Sequence, residues 1–342
     1  VRGIAFTGNR NVDFITVDDP TPDFGEVVIE IKASGMCGSD LHDYRANADS
    51  PEANPTLIRG HEPAGVVIAA GKGVDKRFSR SGTRVMVHHY WGCTTCNQCR
   101  TGWPQLCTEV TADVYGSNAH GCHADYMKVP AGTLVTLHDS LSFAAGAAIS
   151  CGTGTAWGAL TRLGASGRDT IAVFGQGPVG LSATMIAAAQ GLRVIALDLE
   201  QSRLALAREF GADETINVKD HDALTAIREF TNGKGVELSL DTSGAASAGK
   251  AALDCLDVWG KACLVGLTSR AQLSLLDYID KQISVMTSWS MSSTGQKELA
   301  DFVVSRNLDL DRLFTDRWSF DQAAEAYASF DRQASGKGVF II

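Results

Sequence analysis

The sequence has no run of about 20 strongly apolar residues, the length that a membrane-spanning helix needs. Its most apolar stretches, LSFAAGAAISCGTGTAWGAL and GLSATMIAAAQGL, are interrupted by Gly, Ser and Thr and dominated by small side chains, which suits tightly packed helices instead. A basic excess is also missing. Acidic residues number 39 against 30 basic, for a formal net charge of -9, and no basic face or charged tail forms, so neither nucleic acid nor an anionic membrane is an expected partner. The opening VRGIAFTGNR lacks the charged-then-apolar stretch of a secretory leader, and the expectation drawn from it is a cytoplasmic protein. What the chain does have is length for two domains, 342 residues with 44% hydrophobic, and nine cysteines.

Four of those cysteines fall in CTTCNQCRTGWPQLC, residues 93 to 107. In a reducing compartment clustered thiols are metal ligands or catalytic groups more often than disulfides. Cys93, Cys96, Cys99 and Cys107 follow C-x2-C-x2-C-x7-C, so one loop folding back offers four thiolates to a tetrahedral ion. Four soft ligands and no free position mean structural zinc. Iron–sulfur runs are spaced differently and end in Cys-Pro, which disfavours a cluster of that kind. The expectation is a closed zinc lobe that holds a loop together and does no chemistry.

Elsewhere in the first half, GMCGSDLH follows the β-rich run EVVIEIKASG, and RGHEPAGVV leads into another apolar run. Cys37 and His61 would sit at junctions between strand and loop, where side chains converge without burying free backbone groups. Cys151 lies in ISCGTGTAW. Two sulfurs and one imidazole leave the fourth position of a zinc ion open, the mark of a catalytic site. Each residue alone reads as an ordinary core or loop residue. Their joint pattern, with Glu62 beside His61 and Asp40 three residues after Cys37, carries the reading.

The second half opens on DTIAVFGQGPVGLSATMIAAAQGLRVIALDLE, which predicts strand, glycine turn, helix and strand. Gly175, Gly177 and Gly180 have G-x-G-x-x-G spacing: the first permits the tight turn, the second lets a pyrophosphate approach the backbone, the third lets helix and strand pack closely. Asp198 ends the next strand, where its carboxylate would accept from a ribose hydroxyl and repel a ribose phosphate, so NAD is expected over NADP. Further βα units follow: SRLALAREFGAD and DALTAIREF as helices, ETINV and VELSLDTSG as strands, then AASAGKAALDCL and KACLVGL. Alternation of this kind predicts a doubly wound parallel sheet covered on both faces. Arg203 reads equally as a residue lining the adenosine side or as part of a solvated helix face.

Taken together, CGSDLH, GHEPAG, CTTCNQCRTGWPQLC, CGTGTAW and GQGPVG, in this order, resemble the zinc-containing medium-chain dehydrogenase/reductases over nearly the whole chain. The resemblance implies an α/β fold with a GroES-like, β-rich catalytic domain over residues 1–150, a Rossmann NAD-binding domain over 151–288, and a segment, 289–342, returning to the catalytic domain. It implies that Cys37, His61 and Cys151 hold a catalytic zinc and that the lobe holds a second, structural zinc. It makes Glu62 a nearby carboxylate able to replace water on the metal, and Asp40 the partner that orients His61. Ser39 and His42 match the proton-relay positions, Thr155 the nicotinamide contact, and Pro178 and Val179 lie in the glycine turn.

The activity so implied is reversible hydride transfer between an alcohol or carbonyl and nicotinamide. Zinc as Lewis acid lowers the pKa of the substrate hydroxyl toward neutrality, and the proton leaves through Ser39, the cofactor ribose and His42. Cys151 at the third ligand position matches the alcohol dehydrogenase branch, while CGSDLH and the short chain also resemble polyol and L-threonine dehydrogenases. His89, Tyr90, Trp91, Asn118, His120 and Trp289 are expected to shape the pocket, and their polarity points to a hydroxylated small-molecule substrate. Cys122, Cys255 and Cys263 are expected in the core. A zinc-independent enone or quinone reductase on the same fold would not need the three ligands, and a noncatalytic NAD-binding protein would need neither ligands nor relay. The resemblance also implies a homotetramer, or a dimer, associating near QISVMTSW.

Overall fold

The computed structural model describes residues 1–269, 273–333 and 336–342. They separate into two compact units. One comprises Val1–Gly154, Ser292–Gln333 and Lys337–Ile342; the other comprises Thr155–Met291 and, among the described residues, Gly336. The first boundary thus falls inside the helix Gly152–Leu163 instead of at residue 150, and the second falls three residues later than 288, because Trp289 to Met291 pack with the second unit.

In the first unit a seven-stranded sheet runs in the order Phe314–Ser319, Lys337–Ile341, Glu26–Gly35, Glu62–Ala70, Arg84–Val87 and Leu134–Thr136, with Tyr126–Pro130 also paired to Glu26–Gly35. The pivot is Glu26–Gly35, whose β-branched and small residues are buried along most of their length, on both faces. At its far end it pairs antiparallel with the last strand, Val339 opposite Gly35, which ties the C-terminal segment into this unit. The core is Val27, Ile29, Ile31, Val67, Val85 and Val87 from the sheet, with Met127 and Val129. The alanine-rich stretch forms the helix Phe143–Ser150, started by the Ser142 hydroxyl accepting from the Ala145 N–H. Cys151 breaks the helical geometry (φ -145, ψ -72) before the next helix begins at Gly152.

The second unit is a six-stranded, all-parallel sheet. In space its strands run Glu214–Asn217, Arg193–Asp198, Thr170–Phe174, Val236–Asp241, Leu256–Leu264 and Ser284–Thr287. Numbered along the chain that order is 3-2-1-4-5-6, the doubly wound Rossmann arrangement, whose direction reverses between the first and fourth strands. The first strand, TIAVF, is buried at every position, as a strand with both faces covered must be. The helix after it, Pro178–Gln190, starts with Pro in its first turn and ends at Gly191 in the left-handed conformation (φ 90). No helix among the described residues is long and apolar enough to cross a membrane.

Candidate functional site

The four lobe cysteines come together around one point. Their sulfurs lie within 4.8 Å of one another, with Cys93 to Cys99 at 3.9 Å and Cys96 to Cys107 at 4.0 Å. Sulfurs set 2.3 Å from a central zinc at tetrahedral corners would be about 3.8 Å apart, so the donor set fits that ion. Backbone N–H groups turn inward to prepare it. Those of Thr95 and Cys96 reach Cys93 Sγ at 3.4 and 3.2 Å, and that of Cys99 reaches Cys96 Sγ at 3.5 Å. The amides of Cys99 and Thr108 pull the Cys96 thiol down to about 6, and those of Cys93 and Val110 pull Cys107 down, which favours the thiolates that a metal takes.

The second cluster is assembled from distant segments. Cys37 lies just past the strand Glu26–Gly35, His61 just before the strand Glu62–Ala70, and Cys151 at the break between two helices. The ligand atoms of Cys37, His61, Glu62 and Cys151 all fall within 4.8 Å of one another. Asp40 Oδ1 accepts from His61 Nδ1 at 3.1 Å, which turns the other ring nitrogen, Nε2, toward the cluster. Burial raises the Asp40 carboxyl, but the charge and hydrogen bond of His61 outweigh it, and it is held at about 2. A hydrogen bond with Cys151 pulls Cys37 well below the usual thiol range, while the same bond and burial push Cys151 well above it.

Glu62 is buried completely, and so is Lys337, whose Nζ makes an ion pair with Glu62 Oε2 and donates to the Met36 carbonyl at 3.0 Å. Glu62 Oε1 accepts from the Gly152 N–H at 3.2 Å. Burial lifts the Glu62 carboxyl to about 7, with Lys337 opposing. Sequence reasoning missed Lys337. Its only signal was a lysine entering the apolar run GKGVFII, which reads more simply as a strand end.

Ser39 caps the short helix Asp40–Arg45, and its Oγ is 3.4 Å from His61 Nε2. His42 lies on that helix with its side chain 72% exposed, 3.2 Å from Asp43. His89 packs its ring 5.0 Å from that of His61 and bonds Ser150 O through Nδ1 at 3.0 Å. Burial, then the charges of His61 and His88, depress His89 well below an ordinary histidine. Tyr90 is buried with its ring 4.0 Å from that of His89, and Trp91 follows in the same short strand. Asn118 and His120 do different work from that expected of them. Asn118 Oδ1 accepts from the Val114 N–H at 2.6 Å while its amide donates to Ala112 O, and His120 Nδ1 accepts from the Ile58 N–H at 3.2 Å. Both brace loops, because a polar side chain next to a turn finds backbone partners first. Trp289, half exposed, belongs to the second unit.

In the second unit the glycine turn has the form a pyrophosphate requires. Gly175 has φ 86, and a side chain there would strike Ser243. A Cβ on Gly180 would lie 1.8 Å from Gly175 O, while one on Gly177 would meet nothing within 4 Å, so open space faces the helix N-terminus at Pro178 and Val179. Asp198 Oδ2 accepts from the Gln176 N–H at 2.5 Å and Oδ1 from the Glu200 N–H at 2.8 Å. A carboxylate has about four acceptor sites, so these two bonds leave capacity for a diol. Arg203 folds back to 4.0 Å from Asp198, with its side chain only 11% exposed, so it is no part of a solvated face. Thr155 is half buried at the start of this unit. Cys255 and Cys263 are buried in this unit, and Cys122 is buried in the first.

Comparison with known proteins agrees with both halves. Residues 23–139 match the alcohol dehydrogenase GroES-like domain, and residues 178–305 match the zinc-binding dehydrogenase domain. An uncharacterized zinc-type alcohol dehydrogenase-like protein of Escherichia coli strain K12 is 37% identical over 345 residues, 96% of this chain and 94% of that protein. The sorbitol dehydrogenase of Bacillus subtilis is 33% identical over 331 residues, 95% of this chain and 92% of the other. Among solved structures, an alcohol dehydrogenase of Escherichia coli CFT073 in complex with NADH superposes with a TM-score of 0.89 at 26% identity, covering 100% of this chain and 99% of that one.

Proposed function

The chain belongs to the zinc-containing medium-chain dehydrogenase/reductase family, and on that premise we propose that it is an NAD-linked alcohol dehydrogenase with two zinc sites. The observation that carries the reading is the convergence of Cys37, His61 and Cys151 within 4.8 Å, three ligands from three distant segments. Zinc held by them would supply Lewis-acid polarisation of the substrate oxygen, which lowers the pKa of a hydroxyl toward neutrality. NAD held at the glycine turn would supply the hydride acceptor.

The chain's own residues supply the rest. Asp40 keeps the proton on His61 Nδ1, so that Nε2 stays free as a donor to the metal. Ser39 Oγ, beside that nitrogen, is the group proposed to take the substrate's proton as it gives up its own, the exposed His42 is the proposed exit to water, and Thr155 is the proposed nicotinamide contact. Glu62, held by its ion pair with Lys337, keeps a carboxylate beside the proposed ligands, with Lys337 offsetting its charge. Asp198, with two backbone bonds and spare acceptor sites, favours a ribose diol over a ribose phosphate, and the NADH bound by a structural relative supports the same choice.

A polyol is the second reading. The sorbitol dehydrogenase relative favours it, and so does His89, which brings a neutral polar ring against His61. Association of copies through the strand Ser284–Thr287 belongs to the same proposal. That strand ends the sheet, and Leu275 and Ile279, which line a hollow together with its Val285, are exposed. Cytoplasmic residence accompanies it, since the thiols must stay reduced to hold metal. The test is nicotinamide reduction by the zinc-replete protein with NAD across primary, secondary, vicinal-diol, sugar-alcohol and β-hydroxy amino acid substrates. Turnover confined to one class and lost in Cys37→Ser supports the reading and chooses the branch. No turnover in any class, with zinc and NAD both bound, sinks it.

A further inference from the structure

Asp40 serves two members of the open cluster at once. Oδ1 accepts from the ring of His61 at 3.1 Å, and Oδ2 accepts from the backbone N–H of Cys37 at 2.9 Å. Behind it, Oδ2 accepts a further bond, 3.1 Å, from the hydroxyl of Tyr327 on the helix Ala323–Asp331. A phenol has one proton. Once that proton is given to Asp40, Tyr327 Oη can only accept from its other neighbour, His123 Nε2, at 2.6 Å.

His123 must therefore carry its proton on Nε2, which leaves Nδ1 as an acceptor for Ser34 Oγ at 2.6 Å. Ser34 Oγ in turn lies 3.0 Å from Cys122 Sγ, which has a thiol proton to give. Burial holds His123 down at about 4 and raises the Cys122 thiol, so both are neutral near pH 7, as this pattern of donors demands. Every proton in the row, from Cys122 through Ser34, His123 and Tyr327, points toward Asp40.

The surroundings make the row conspicuous. Ser34, Cys122, His123 and Tyr327 have no solvent exposure. Around them stand Phe6, Tyr44 and Phe340, with the Phe6 ring 4.7 Å from Tyr327 and the Phe340 ring 5.0 Å from His123. Water cannot replace a missing partner there. A phenylalanine at either ring position would fill the space without any polar group to satisfy, so the hydroxyl and imidazole need a reason beyond packing. His123 also presses on the loop that carries the ligand: a Cβ on Gly60, next to His61, would lie 2.4 Å from His123 Nδ1.

We propose that Tyr327 is a positioning residue of the metal site, its one proton directed onto Asp40 by His123 and Ser34, so that Cys37 and His61 are held ready for the metal. The proposal rests on reading Cys37, His61 and Cys151 as ligands. The metal is the probe. Cobalt is placed in the open site of the full-length protein, with the lobe zinc kept, its visible absorption is recorded, and its loss to a chelator is timed.

Tyr327→Phe is expected to lose cobalt roughly 10-fold faster than the wild type, the low end of what outer partners of a metal site contribute, with a shifted ligand-field band and an unchanged lobe metal. His123→Phe leaves the phenol proton on Asp40 and should lose cobalt at nearly the wild-type rate. The double variant removes both partners of the Tyr327–His123 bond, so no Nε2 proton is stranded, and the Ser34 hydroxyl freed from His123 can turn to Cys122 Sγ. It should fold even where Tyr327→Phe does not, and it should still release cobalt quickly. A wild-type rate and spectrum in Tyr327→Phe, or in the double variant where only that folds, overturn the proposal, as does equally fast loss from His123→Phe, which would mean packing alone. Failure of the wild type to take cobalt outside the lobe would overturn the ligand reading instead.

Discussion

The lobe draws all four of its ligands from one loop, whereas the open cluster gathers Cys37, His61 and Cys151 from three separate segments. The lobe cysteines are half exposed, and their thiols are tuned by amides of their own loop. The open cluster lies deeper, and its tuning comes both from Asp40, three residues past Cys37, and from afar: Tyr327 from the C-terminal segment and Lys337 from the last strand. A closed site needs only a loop of the right spacing, because the ion supplies the folding energy. An open site must hold ligands apart from one another and still leave one position free. That needs a rigid scaffold, with the charges around it fixed by the fold.

The difference can be broken at its largest point first. Cys37→Ser should lower kcat by on the order of 10^3-fold or more, because the Lewis acid is lost with its ligand. Zinc content should fall by one ion per chain while NADH binding, followed by fluorescence, stays as it was. Loss of both ions together would mean that the clusters are not independent. Cys96→Ser should do the reverse, lowering thermal stability sharply while the protein that remains folded at low temperature keeps its turnover. A lobe variant with full stability and no activity would assign chemistry to the lobe.

Next comes Lys337→Met, which strands the buried Glu62 carboxyl. Removing one partner of a buried pair costs about 3–5 kcal/mol. Glu62 can escape part of that cost by taking a proton, and its carboxyl already sits at about 7, above the usual value near 4.5. The folded chain then binds the proton that the unfolded chain gives up, so the variant should lose stability as pH rises from about 5 to 8. Denaturant titrations at pH 6 and pH 8 measure this, and an equal penalty at both would contradict the burial argument.

The smallest effect belongs to histidines that no metal touches. Burial depresses His88 and His123 to about 4. Between the unfolded value near 6.5 and about 4, the unfolded chain binds more protons, so stability is full above 6.5 and falls as pH drops through that window. Each residue should contribute up to roughly 3 kcal/mol of that loss. His123→Phe should flatten the profile of the Cys37→Ser protein, whose open site no longer titrates with the metal; an unchanged profile would show that His123 does not stay neutral.

Where a signal depends on neighbours along the chain, the sequence carried it. The lobe spacing, the glycine turn ahead of the helix Pro178–Gln190, and the alternation of strands and helices up to Leu264 are all local patterns. Cys37, His61 and Cys151 were legible as candidates from their residue types and neighbours, and the resemblance joined them into one proposed ligand set, since nothing in composition links residue 37 to 61 or 151. Asn118 and His120 looked like pocket residues because they are polar and near an active loop, and the turn claimed them first. Arg203 could be read two ways until the fold laid it against Asp198.

The sequence by itself determined which residues can ligate, which turn can face a phosphate, and that two kinds of domain are present, because spacing and periodicity are properties of the chain. Only the tertiary structure decided that Lys337 neutralises Glu62 and that Tyr327 and His123 stand behind Asp40. These pairings join residues about 200 to 300 positions apart through burial. In a dry interior a polar group must bond to whatever the fold brings beside it, and no local pattern records that neighbour.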